Sequence, residues 1–138
     1  MKILVSACLL GVNCKYTGGN NYNEKIMEYL SDKEIIPICP EIMGGLPTPR
    51  KASEIKGDKV FMIDGVDVTA NFQKGAKETL ELAKKLGVTK ALLKAKSPSC
   101  GYKKIYDGTF TDTLIDGNGI TAELLEKNGF EILTEKDF

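Results

Sequence analysis

Short, almost wholly apolar runs separated by stretches of helical spacing make up most of this chain, and that alternation leaves few architectures open. Lys2-Ile3-Leu4-Val5-Ser6-Ala7 is apolar at consecutive positions, as a strand covered on both faces must be. Glu34-Ile35-Ile36-Pro37-Ile38, Ala91-Leu92-Leu93 and Glu131-Ile132-Leu133 repeat the pattern. Pro37 has no N–H to give a ladder, so its run is expected at a sheet edge or a strand end. Helical segments lie between the runs. Asn23 is placed to cap a helix with Ile26, Met27 and Leu30 on one face. Phe72, Ala76, Leu80, Ala83 and Leu86 form one stripe at three- and four-residue spacing, and Gly87 suits the position just past the last turn. Thr121 to Asn128 reads as a shorter helix, with Leu124 and Leu125 inward and Gly129 as its stop.

Strands alternating with helices predict an α/β protein, a Rossmann-like three-layer sandwich built on a mostly parallel sheet. A small β-hairpin is expected beside it, Lys59–Ile63 returning as Val66–Val68 through Asp64-Gly65, a pair suited to a type I′ turn. Pro40 to Arg50 holds three prolines and two glycines and reads as a shaped loop rather than a helix. Residues 102–118 read as a polar, glycine-containing excursion. The 138 residues contain no internal repeat and no linker, so one domain spanning 1–138 is expected.

Lysine plus arginine and aspartate plus glutamate both number 19, a balance that argues against nucleic acid or an anionic membrane as the partner. No apolar run approaches the roughly 18 residues needed to span a bilayer. A strand that opens at residue 2 leaves no room for a signal peptide, so a cytoplasmic protein is expected, where disulfides rarely persist. The chain has 4 cysteines and no histidine. Imidazole metal sites and Cys–His or Ser–His nucleophile pairs are therefore excluded. Acid–base work near neutral pH falls to carboxylates, Lys, Tyr, Ser or Cys.

Cys8, Cys39 and Cys100 each follow a predicted strand just where the chain enters a loop. The carboxyl ends of parallel strands share one edge of the sheet, and ligands bind in the crevice beside it. Cysteines far apart in sequence are thereby brought together. Any one of them alone reads as a small buried hydrophobe. With no C-x-x-C pair, neither a zinc knuckle nor a ferredoxin run is present, and three thiolates leave one coordination position open on iron–sulfur or zinc. Cys14 is expected to be a free thiol near the site, outside the ligand set.

Other reactive groups cluster nearby. Glu41, two residues past Cys39, is the best general acid/base in a chain without histidine. Ser97 and Ser99 share a tight turn with Cys100, to position a substrate or to bond their own backbone. Arg50 offers a planar fork to a carbonyl or an anion, or a surface partner to Glu54. Gly44 and Gly45 permit backbone to approach a ligand, or serve turn geometry alone.

The segments Ser6-Ala7-Cys8-Leu9-Leu10-Gly11, Cys39-Pro40-Glu41 with Gly44-Gly45-Leu46 and Pro49-Arg50, and Ser97-Pro98-Ser99-Cys100-Gly101 resemble the 2-thiouracil desulfidase family. The resemblance spans nearly the whole chain. It implies that Cys8, Cys39 and Cys100 hold a [4Fe-4S] cluster whose fourth iron is free, and that this iron accepts the sulfur of a thiocarbonyl as a Lewis acid. Water then attacks the carbon, and the sulfur left on the cluster departs as sulfide. Glu41 matches the residue that manages the water and its protons, and Ser97 or Ser99 the assisting serine. Some members carry a further C-terminal domain that is expected to be missing here, so the expected substrate is a small thiolated base or nucleoside rather than thiouracil in particular. Two rivals keep the same residues: a zinc hydrolase or deaminase with Glu41 as proton shuttle, and a non-catalytic sulfur-binding module.

Overall fold

A computed structural model describes residues Met1–Phe138. Strands β1 (Lys2–Ser6), β2 (Glu34–Ile38), β5 (Lys90–Leu93) and β8 (Glu131–Thr134) form one four-stranded sheet in the order β2-β1-β5-β8. Every pairing in it is parallel. Pro37 does fall on an edge strand, where its missing N–H breaks no ladder.

The apolar runs are continuous because both sheet faces are covered. Ile3, Val5 and Leu92 point to one face and pack on Ile26 and Leu30 of helix α1 (Glu24–Leu30). Leu4, Ala91 and Leu93 point to the other. There they meet Leu80 and Ala83 of α3 (Thr69–Leu86) and Ala122 and Leu125 of α4 (Ile120–Lys127). The result is the three-layer α/β sandwich that the alternation predicts. Each fully buried Leu or Ile there contributes roughly 1.5–3 kcal/mol. The helix ends obey local rules: Asn23 Oδ1 accepts the Ile26 N–H at 3.2 Å, and Gly87 closes α3 in the left-handed conformation.

Three departures from the sequence reading matter. Pro40–Met43 is a one-turn helix, α2, inside the segment expected to be loop throughout. Proline is at home at a helix's first position, where no N–H is needed. The hairpin forms one strand earlier than expected, β3 (Ser53–Lys56) against β4 (Lys59–Met62), turning at Gly57-Asp58. Asp64-Gly65 does reverse the chain, but Val66–Val68 adds only a single bridge, Phe61 with Asp67. The excursion is itself a hairpin, β6 (Lys104–Tyr106) against β7 (Leu114–Asp116).

The chain leaves β1 for β2 on one side and later returns to β5 on the other, so the strand order reverses beside β1. The crevice at such a reversal is where open α/β sheets bind ligands.

Candidate functional site

The register of the sheet brings the cysteines together. Ser6 on β1 pairs with Ile38 on β2, so Cys8 and Cys39 leave the same edge side by side. Cys8 sits in a 3-10 turn, Ala7–Leu10, that Gly11 ends with φ 95°. Cys39 is the residue before α2, and that helix is locked onto α3 by two close backbone approaches. A Cβ on Gly75 would lie 1.8 Å from the Pro40 carbonyl oxygen, and one on Gly44 would lie 2.0 Å from that of Asn71.

Cys100 comes from the turn after β5. Ser97 Oγ accepts the backbone N–H groups of Ser99 at 3.1 Å and Cys100 at 2.9 Å. The opening N–H groups of α4 complete the turn's fixation: Ile120 donates to Pro98 O, and Thr121 to Ser99 O, both at 2.9 Å. A helix start that would otherwise carry orphan donors is satisfied by the loop it must hold.

Cys8, Cys39 and Cys100 line one cavity of about 470 Å³, together with Cys14, Glu41, Arg50, Ser97 and Ser99. All four cysteines are free thiols. Cys14, expected only near the site, is buried and sits between Cys8 and Cys39. Hydrogen bonding from its thiol, the Ile42 N–H and the Arg50 charge lower the Cys39 pKa to about 6, against the effect of burial. Cys8 is lowered to about 7, mainly by Cys14 and then by Asn21 and Lys94. Cys14 is shifted the opposite way, since it donates to both neighbours. It has a single S–H, so only one of the two receives it at a time. Burial pushes the Cys100 thiol up to about 12, opposed by the Ser6 and Ser99 hydroxyls.

Glu41 stands at the centre of a hydrogen-bond chain. Arg50 Nε donates to its Oε1 at 3.1 Å, and Ser99 Oγ donates to its Oε2 at 3.0 Å. Ser97 and Ser99 hydroxyls lie 2.9 Å apart. Ser99 directs its hydrogen to Glu41, so Ser97 is the donor between the two. Ser99 Oγ is also 3.6 Å from Cys100 Sγ. The serines thus divide the work: Ser97 shapes the turn, and Ser99 connects the carboxylate to a cysteine.

Arg50 departs from its expected role as a substrate fork. Its side chain is only 3% exposed, and its donors go to Glu41, Pro47 O, Thr48 Oγ1 and Cys14 O. It ties the Cys14 loop, the proline-rich loop and Glu41 into one unit. Nor does it meet Glu54, whose carboxylate instead accepts the Gly108 and Phe110 N–H groups. Gly44 and Gly45 also differ from expectation. They face Asn71 on α3 and do not line the cavity, so their small size serves helix packing.

No three Cys, Asp or Glu side chains surround one common ion position. A single zinc ion needs every thiolate about 2.3 Å away. Three soft sulfur donors lining one cavity fit a [4Fe-4S] cluster in kind and number.

Sequence reading missed the part of the cavity lining to which Glu54, Tyr106 and Phe110 contribute. Strand-like spacing of Lys104 to Tyr106 was the available signal, but three residues are too few to register against their polar surroundings.

Parallel-sheet topology, a cysteine-lined crevice at its switch point and a half-buried carboxylate beside the thiols define a class: an α/β enzyme with a sulfur-rich site. The chain belongs to the 2-thiouracil desulfurase family, whose model matches residues 3–137. It is 39% identical to the uncharacterized protein YbbK of Bacillus subtilis (strain 168) over 145 residues, covering 98% of this chain and 96% of that one. A solved structure of the [4Fe-4S]-dependent thiouracil desulfidase TudS superposes with a TM-score of 0.92 at 39% identity, over 99% of this chain and 92% of its own.

Proposed function

We propose that this chain removes sulfur from a thiolated nucleobase or related thioamide, with Cys8, Cys39 and Cys100 holding a [4Fe-4S] cluster. The net reaction converts C=S and water into C=O and hydrogen sulfide, with no electron gained or lost. When bound, the cluster supplies an iron without a protein thiolate, a soft Lewis acid suited to sulfur over oxygen. TudS, so similar in sequence and shape, is [4Fe-4S]-dependent, and three cysteines lining one cavity support the same cofactor here.

Glu41 takes the proton of the attacking water and returns it to the departing sulfur. Arg50 fixes one carboxylate oxygen and Ser99 the other. That bracing keeps the carboxylate in one rotamer, and its residual 15% exposure leaves it open to the cavity. Ser97 holds Ser99 and the Cys100 amide in place. Burial of Ser99 and Arg50 excludes water from all but the reacting side.

The observation that carries this reading is the unbroken chain Ser97–Ser99–Glu41–Arg50 ending on the wall that three cysteines share. The test is anaerobic reconstitution with iron and sulfide, then assay of sulfide release from 2-thiouracil. Wild type should release sulfide, and Glu41→Gln should retain the brown chromophore yet release sulfide about 10²–10⁴-fold more slowly. A colourless, zinc-loaded protein with hydrolytic activity would instead support the zinc reading.

A further inference from the structure

The cavity has a second wall that the sulfur chemistry does not use. It is built from the loop 107–113 that joins β6 to β7, and its side chains are of another kind. Tyr106 and Phe110 line the cavity there, with Ile63 at the mouth, 60% exposed. Phe110 adopts φ 57° and Asp112 φ 58°. A bulky residue in the left-handed region costs about 1–3 kcal/mol and persists only where its surroundings impose it.

Those surroundings are specific. Glu54, 9% exposed on β3, accepts the Gly108 N–H at 3.0 Å and the Phe110 N–H at 3.1 Å on the same oxygen, Oε1. Gly108 has φ 95°, and a Cβ there would lie 2.8 Å from Ile55 O, so the loop is pressed against β3. Asp107 Oδ1 accepts from both the Thr109 N–H and its hydroxyl, and the Thr109, Thr111 and Thr113 hydroxyls run on in a chain. A costly backbone conformation, held by a buried carboxylate, places Phe110 on the cavity lining.

We infer that this loop is the wall that selects the substrate: Phe110 and Tyr106 give flat faces on which a thiolated heterocycle stacks, and Glu54 positions Phe110. The inference rests on the desulfidase reading and adds to it the residues that hold the ring, Phe110 and Tyr106, and the residue that positions Phe110, Glu54. Stacking of a base on an aromatic side chain is tolerant of base identity and large enough to dominate binding. Tyr16, two residues past Cys14, is the other aromatic residue lining the cavity, but only Phe110 is held there by a buried carboxylate.

The experiment uses the cluster-loaded chain with 2-thiouracil as substrate and uracil, its sulfur-free product, as a binding probe by calorimetry. Phe110→Ala should raise KM for 2-thiouracil about tenfold with kcat held, and weaken uracil binding by a like factor. Phe110→Leu should lose as much, because bulk without a flat face does not stack, and Phe110→Tyr should restore wild-type values. Glu54→Ala should copy Phe110→Ala, whereas Glu54→Gln keeps a carbonyl oxygen for the two N–H groups and should copy wild type. Unchanged uracil binding in Phe110→Ala, or failure of Phe110→Tyr to restore it, overturns the inference. If wild type binds uracil through Phe110 but releases no sulfide, the wall stands and the desulfidase reading falls. If sulfide release is intact and indifferent to Phe110, only the wall falls.

Discussion

The two walls of one cavity are made by opposite means. On the thiolate wall, Cys8, Cys39 and Cys100 follow the neighbouring parallel strands β1, β2 and β5, and the segments that carry them are braced. Ser97 and α4 hold the Cys100 turn, while α3 holds α2 and with it Cys39 and Glu41. The aromatic wall hangs on a two-stranded ribbon outside the sheet and depends on one carboxylate, Glu54. Rigid sheet edges suit chemistry that must fix several sulfurs and a proton carrier in register. An appended ribbon suits recognition, because it can change shape without disturbing the ligands.

Substitutions should therefore separate by wall. The largest effect is expected at Glu41. Glu41→Gln should lower kcat about 10²–10⁴-fold, the usual contribution of a positioned acid/base, with iron content unchanged. This is the converse of Phe110→Ala, which should act on KM alone. Equal effects of both on KM would erase the distinction.

Next comes Ser99→Ala, which removes a hydrogen bond to a charged carboxylate, worth about 1.5–3 kcal/mol. Glu41 keeps Arg50 but loses its second brace, so kcat should fall by roughly tenfold or more and single-turnover rates should show the same loss. Gly75→Ala reaches the thiolate wall from a distance. The added methyl collides with Pro40 O and should push α2 outward, costing about 1–3 kcal/mol by overpacking. Denaturant melts should register the loss, and iron retention should fall with it because Cys39 moves. A Gly75→Ala protein with normal stability and iron content would mean that α3 does not position this wall. Smallest of all is Lys51→Ala, which removes an exposed, solvent-screened ion pair with Asp64 and should leave the denaturant midpoint and both kinetic constants close to wild type.

The thiolate wall was largely legible in the sequence and the aromatic wall was not, for a physical reason. Strand exits follow from apolar runs that end abruptly, and parallel topology then forces those exits to one edge. Cys8, Cys39, Cys100 and Glu41 could all be placed that way. What escaped were features decided by tertiary packing. Four residues of helix at Pro40–Met43 are stable only because Gly44 and Gly75 allow α2 to touch α3, a contact that no local propensity encodes. Arg50 looked like a free fork because its partner Glu41 lies nine residues away, across a bend. Gly57-Asp58 and Asp64-Gly65 are both turn pairs, and only the pairing of Ile55 with Val60, both in the core beside Phe72, decides which one joins the strands. The 107–113 loop takes its conformation from Glu54, more than fifty residues upstream.

The central claim is that three cysteines, and not the fourth, hold one iron–sulfur cluster. Iron and inorganic sulfide should be quantified after anaerobic reconstitution of wild type and of each Cys→Ser variant. Wild type and Cys14→Ser should hold four of each per chain, and Cys8→Ser, Cys39→Ser and Cys100→Ser should each lose the cluster. Full iron content in Cys100→Ser, or its loss in Cys14→Ser, would contradict the account.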